Sequence, residues 1–206
     1  MGTSLKVGAR KRQSGEALTI LFIGRLVERK GVVDLLDAFA RVRKGRNDVQ
    51  LIIAGDGQER GRFEARAKQL GVAEAVTFVG YVNGKQKADL FAQATILCIP
   101  SINDGVHAEG LPVVFMEGLA AGLVVVSSDV TGAQEWVTDG RDGYLYEQRD
   151  VVALTRVLRK VLDMSSSERQ AIAKGARLLA KNFEWRNVVR RQYTMLENAY
   201  NETDHS

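Results

Sequence analysis

The sequence predicts an α/β fold: a Rossmann-like, doubly wound parallel sheet with a helical C-terminal extension. Three observations predict it. Short, almost uninterrupted apolar runs recur through the first 150 residues, as in strands covered on both faces. Helix-period segments separate them, and strand–helix alternation implies right-handed crossovers between parallel strands. Beyond about residue 150 the strand pattern stops and helical stripes alone remain.

Residues 1–16 read as an irregular basic tail, 17–200 as the folded unit, and 201–206 as a second tail. Strands are expected as LTILFIG near 18–24, VQLIIAG near 49–55, AVTFVG near 75–80, ATILCIP near 94–100, LVVVSS near 123–128 and GYLY near 143–146. Val32, Leu35, Leu36 and Phe39 repeat at helical spacing after the first strand, and Leu90, Phe91 and Ala94 do so more weakly after the third. Val152, Leu154, Val157, Leu158 and Val161 form a further stripe. In SSSE at 165–168, Ser165 stands three residues before Glu168, the spacing of a capping box. Trp185, Val188, Val189, Gln192 and Leu196 outline a last amphipathic helix ending near Tyr200.

Bulk properties narrow the function. The 206 residues suffice for one large domain or two small ones. The formal net charge is +4, and Lys6, Arg10, Lys11 and Arg12 account for it within the first fifteen residues. The remaining body is formally neutral, so the charge is no argument for nucleic acid. The lone Cys98 forms no intramolecular disulfide, fits a reducing compartment, and in its apolar run TILCIP reads as an inert buried thiol. No stretch reaches eighteen apolar residues, and the N-terminus lacks a secretory apolar core. A cytoplasmic location is expected, with peripheral membrane contact left open.

In open α/β sheets ligands sit outside the carboxyl ends of the strands. Arg25, Arg29 and Lys30 fall there, ahead of a helix expected to start near Gly31. A helix N-terminus already carries partial positive charge, so clustered cations are unfavourable there unless an anion joins them. A diphosphate would satisfy both amides and cations; a solvated basic loop is the bland alternative. Glu109 and Glu117 bracket the start of another helix, expected near Leu111 or Pro112 with the proline in its first turn. Glu117 is a lone charge on an otherwise apolar helix and needs a partner. Carboxylates accept hydrogen bonds from vicinal diols, which suits ribose and sugar hydroxyls. The alternative is a favourable dipole charge at Glu109 and a solvent-facing Glu117.

Other signals are weaker. Gly55-Asp56-Gly57 with Gly61 is a loosened dinucleotide fingerprint on the wrong strand, read as a tight turn that lines the crevice. GYVNGKQ at 80–86 misses P-loop spacing, and His107 in SINDGVHAEG lacks companion metal ligands, so no metal site is expected. Asp104 and His107 read as a polar loop. Ser127 and Ser128 lack a nucleophile-elbow context.

GRLVERKG, IAGDGQER, FVGYV, EGLPVVFMEGLAAG and VVVSSDVTGAQEWVTDGRDGYLY, in that order, resemble the C-terminal donor-binding domain of retaining group 1 (family 4) glycosyltransferases, one half of a GT-B fold. The resemblance runs from about residue 17 to about 200. It implies that Arg25 and Lys30 bind a donor diphosphate and, with Glu109 on the transferred sugar, form the catalytic set. It implies ribose contacts at Glu117, phosphate-side amides at Gly110 and Leu111, and a base site near Val82. The donor would be a UDP-, GDP- or ADP-sugar, with no further cofactor, and transfer would be metal-independent, consistent with the absence of a D-x-D motif. Pro112 stands where a second glycine is frequent, Leu123 where proline is usual, and Thr131-Gly132 where Gly-Gly is frequent. The resemblance also implies an acceptor-binding N-terminal domain or subunit, for which the sixteen leading residues are too few. The chain would then be a fragment, an isolated domain or one half of a split enzyme. It would be inactive or weakly active alone, with an apolar face around Trp185 or Tyr193 open to self-association. A non-catalytic nucleotide-sugar subunit or sensor, and half of a sugar-nucleotide epimerase or phosphorylase, are the alternatives.

Overall fold

The computed structural model describes residues 17–105 and 110–183. The leading tail, Glu109, His107 and the expected helix carrying Trp185 and Tyr193 lie outside them.

Six strands form one parallel sheet: β1 Leu18–Ile23, β2 Val49–Ala54, β3 Val76–Gly80, β4 Ile96–Ile99, β5 Val124–Ser128 and β6 Tyr144–Tyr146. Their spatial order is β3-β2-β1-β4-β5-β6, with every pairing parallel. Register is set by apolar alternation. Ile20 and Phe22 of β1, Leu51 and Ile53 of β2, Ile96 and Cys98 of β4, and Val124 and Val126 of β5 enter one core. Leu21, Ile52, Leu97 and Val125 enter the other. Both cores are closed by helices, so strands lack a polar face and read as continuous apolar runs.

Helices α1 (Val32–Arg43), α2 (Arg60–Gln69) and α5 (Val151–Asp163) cover the first core, through Leu35, Leu36 and Phe39, through Phe63, and through Leu154, Leu158 and Val161 respectively. Helices α3 (Gly84–Gln93), α4 (Val113–Ala121) and α6 (Ser166–Ala180) cover the second, through Phe91, through Phe115 and Leu119, and through Ala176 and Leu179. Asp150 caps α5 by accepting from the Ala153 amide. Ser165 and Glu168 form the reciprocal capping box that their spacing predicts.

One expected boundary shifts. Helix α4 starts at Val113, and Pro112 is its extended N-cap residue rather than a first-turn residue. Its ψ of 140° is outside the helical range, so the ring closes the loop instead of opening the helix. Beyond α6, a 3₁₀ turn at Lys181–Phe183 sets Phe183 edge-on to Trp136, with ring centroids 4.8 Å apart, and to Phe115 at 6.2 Å.

The order in which strands are added reverses at β1, since β2 lies on one side of it and β4 on the other. This is the topological switch point, and a crevice opens beyond the carboxyl ends of β1 and β4.

Candidate functional site

The turn after β1 carries the cations. Residues Glu28–Lys30 form a 3₁₀ turn, and Gly31 ends it in the left-handed region at φ 65°. An added Cβ on Gly31 would overlap the Pro100 carbonyl oxygen at the end of β4. The Ile102 amide donates to the Arg29 carbonyl at 2.8 Å, so this turn and the loop after β4 are joined backbone to backbone. On the other flank, the Leu26 amide donates to Asp56 O at 2.8 Å and the Glu59 amide to Leu26 O at 3.1 Å. Gly55, at φ 139°, leaves no room for a Cβ against the Gly24 carbonyl. Gly55-Asp56-Gly57 is therefore a buttress under the cationic turn. A tight turn is what the sequence suggests, and backbone proximity is why glycine is needed there.

Within this turn Arg25, Arg29 and Lys30 are close enough to influence one another. Burial first, then the charges of Arg29 and Arg25, push the Lys30 ammonium down to about 8. Like charges held together at this cost mark a place suited to an anion.

The loop after β4 is pinned from the β5–β6 side. Ser128 Oγ donates to Ser101 O at 2.6 Å, and the Asn103 amide donates to Gln148 Oε1 at 2.7 Å. The Gln148 amide in turn donates to Asp129 Oδ1 at 3.0 Å. Ser101 Oγ is buried and has no hydrogen-bond partner among the described residues. Gly110 is exposed and Leu111 half-buried just ahead of α4, and Gly132 packs against the Leu111 backbone. Thr131 is fully buried. Its hydroxyl lies 2.7 Å from Ser127 Oγ and donates to Ser128 O at 3.3 Å, so the side chain is turned into the protein.

Glu117 sits in the second turn of α4 and is 9% exposed, among the buried Phe115, Gly118 and Leu119. The solvent-facing alternative is ruled out. The partner such a carboxylate needs is Lys87 of α3, whose Nζ lies 2.5 Å from Glu117 Oε2. Oε2 itself is buried, so the ammonium meets it away from solvent. Lys87 was not a candidate from sequence. In the polar run NGKQKAD nothing separates it from Lys85, which instead pairs with Asp89 in its own helix. Val82 is half-buried in the short link between β3 and α3, so its segment and the ion pair belong to consecutive elements.

Arg25 and Lys30 thus share the turn after β1, Gly110 and Leu111 lead into α4, and Glu117 pairs with Lys87 between α4 and α3. Glu109 lies outside the described residues. Cys98 is buried in mid-sheet and its thiol is pushed up by burial alone, as befits an inert core residue. Among the described residues no three His, Cys, Asp or Glu side chains converge on a point suited to a metal ion, and no helix is long and apolar enough to cross a membrane. A groove of about 570 Å³ lies elsewhere, between the carboxyl ends of α1 and α2. That is toward the amino ends of the strands, away from the crevice. Arg66 there is committed to Asp37 and Arg43 to the Val49 carbonyl, so the groove has an internal explanation.

Comparison with known proteins gives the family and the fold. The family profile "Glycosyl transferases group 1" matches residues 9–178. The chain is 31% identical over 181 residues to a glycogen synthase of Mycobacterium tuberculosis, covering 88% of this chain and 42% of that protein. It is 34% identical over 172 residues to a phosphatidyl-myo-inositol mannosyltransferase of Mycobacterium leprae, covering 83% and 44%. Among solved structures, the Anabaena protein HepE in complex with UDP and glucose superposes with a TM-score of 0.73 at 22% identity, covering 90% of this chain and 49% of that one. The chain belongs to the group 1 glycosyltransferase family, and its sheet is that of one half of a GT-B fold. It spans less than half the length of these two curated relatives.

Proposed function

We propose that this chain is the donor-binding half of a glycosyltransferase that uses a nucleotide-diphosphate sugar with retention at the transferred carbon. The observation that carries the reading is the placement of Arg25, Arg29 and Lys30 in one turn at the switch point, where burial first and then the two guanidiniums bring Lys30 down to about 8. A diphosphate relieves that repulsion and gains charge-assisted hydrogen bonds. During transfer the bond between sugar and diphosphate breaks and negative charge grows on the leaving phosphate. Cations fixed at that oxygen stabilise the transition state more than the ground state. In this reading Arg25 and Lys30 do that work, with the Gly110 and Leu111 amides beside them, and Glu109 contacts the sugar. Glu117 accepts the ribose hydroxyls and the Val82 segment lines the base. Catalysis asks for no metal.

The acceptor belongs to a facing half. Tyr81, 74% exposed, and Val113, 61% exposed, stand where β3 ends and α4 begins, on the rim that such a half would cover. The transferred sugar would then be enclosed between the two.

The test is a titration of the chain with UDP, GDP and ADP against the corresponding monophosphates. The diphosphate binds more tightly by about ten-fold or more, and Arg25→Ala or Lys30→Ala removes most of that margin. Equal binding of mono- and diphosphate by the unmodified chain refutes the assignment of the cations.

A further inference from the structure

We propose that Lys87 is a positioning residue for ribose recognition, holding the Glu117 carboxylate as a charged acceptor at the crevice. The inference rests on the assignment of Glu117 to ribose made under the proposed function.

Glu117 is nine-tenths buried on an apolar helix, where an unpaired carboxylate is costly. Lys87 balances its charge at 2.5 Å, on the buried oxygen Oε2. A carboxylate has about four acceptor positions, so a single ammonium on one oxygen neutralises the group without using up its capacity to accept. That is the state suited to a diol, which brings two donors and no charge. Were the carboxylate fully hydrogen-bonded within the protein, ribose would have to displace those bonds. Were it without a cation, the group would have to shed its charge or leave the site.

Lys87 is itself fixed. Its side chain is 22% exposed, and its ammonium lies 5.9 Å from the centroid of the buried Phe91 ring. Lys85, two residues earlier, has a side chain 87% exposed and pairs with Asp89 along the helix surface. One lysine of α3 is solvated and the other is turned inward, a difference that charge content alone does not explain. Helix α3 begins two residues after Val82, so the segment assigned to the base continues into the helix that steadies Glu117. In any nucleotide the ribose lies between base and phosphate. Lys87 ties the element assigned to the base to the element assigned to the sugar hydroxyls.

The experiment titrates the full chain and its variants with UDP, GDP and ADP and with their 2′-deoxy forms. The unmodified chain favours its best ribonucleotide by about ten-fold, and Glu117→Gln reduces this to about two-fold. Lys87→Met, which keeps the stem and removes the charge, falls to about the same level while retaining the diphosphate-over-monophosphate margin. Lys87→Arg restores most of the ribose preference, and Lys85→Met leaves it unchanged. Thermal unfolding reports whether each variant folds. Lys87→Gln serves as the charge-removing variant should the methionine form fail that check. Full ribose preference in either charge-removed variant, with Glu117→Gln impaired, overturns the role of Lys87 and leaves Glu117 standing. Ribose preference intact in Glu117→Gln overturns the assignment of Glu117 and this inference with it.

Discussion

Lys30 is the residue whose chemistry most directly tests the proposed diphosphate site. Its folded value of about 8 lies below the ordinary lysine range because burial and two guanidinium neighbours disfavour the ammonium form. The unfolded chain therefore binds more protons between about pH 8 and about pH 10.5, and this group's contribution to stability rises with pH across that window. Below it, the repulsion is carried in full. A bound diphosphate reverses the preference and raises the lysine's proton affinity. The expected outcome is an affinity for UDP, GDP or ADP that is steady up to about pH 8 and declines above it, with proton uptake on binding. Lys30→Arg, charged throughout, removes the decline. Calorimetry in buffers of different ionisation enthalpy measures both effects. An affinity flat to about pH 9.5 in the unmodified chain would separate Lys30 from the phosphate.

At the scale of elements, the cationic turn is a product of its neighbours. Gly31 occupies a left-handed conformation pressed against Pro100. The conformation alone costs an alanine about 1–2 kcal/mol, and the overlap with a carbonyl oxygen adds to it. Gly31→Ala is expected to destabilise the fold by more than about 2 kcal/mol in urea unfolding and to weaken diphosphate binding. Unaltered stability and binding would show that the β1 and β4 loops are not braced there. Much of this architecture was legible in the chain. The near-continuous apolar runs of β1, β2, β4 and β5 encode a sheet covered twice, and Ser165 with Glu168 encodes a helix start. Arg25 and Lys30 stood out because cations ahead of a helix are locally unfavourable. Glu117 stood out because a lone charge interrupts an apolar helix. Lys87 was illegible because its meaning comes from α3 lying beside α4, a tertiary fact carried by no local pattern. The buttress role of Gly55 was half legible: glycine implies a turn, but only the Gly24 carbonyl facing it shows what the turn supports. Pro112 misled by one residue, since a proline serves a helix's first turn and its threshold about equally well.

For the whole molecule, the proposed function makes the sheet, with the exposed Tyr81 and Val113, one half of a shared site. The chain alone is expected to bind a donor nucleotide and to transfer little sugar. Joined to an acceptor-binding half, it is expected to gain at least about 10²-fold in transfer, the scale that holding two reactants together provides. An assay of sugar transfer with and without that half checks this. Donor binding with no gain would favour a sensor or assembly subunit. The backbone fastenings around the cationic turn reach further than its chemistry. Gly24, Leu26 and Arg29 are laced to Ala54, Asp56 and Ile102, and Gly31 is seated on Pro100. Anyone grafting this cationic turn onto a related scaffold must move three sequence-distant stretches together, for its internal hydrogen bonds shape the turn but do not fix where it sits.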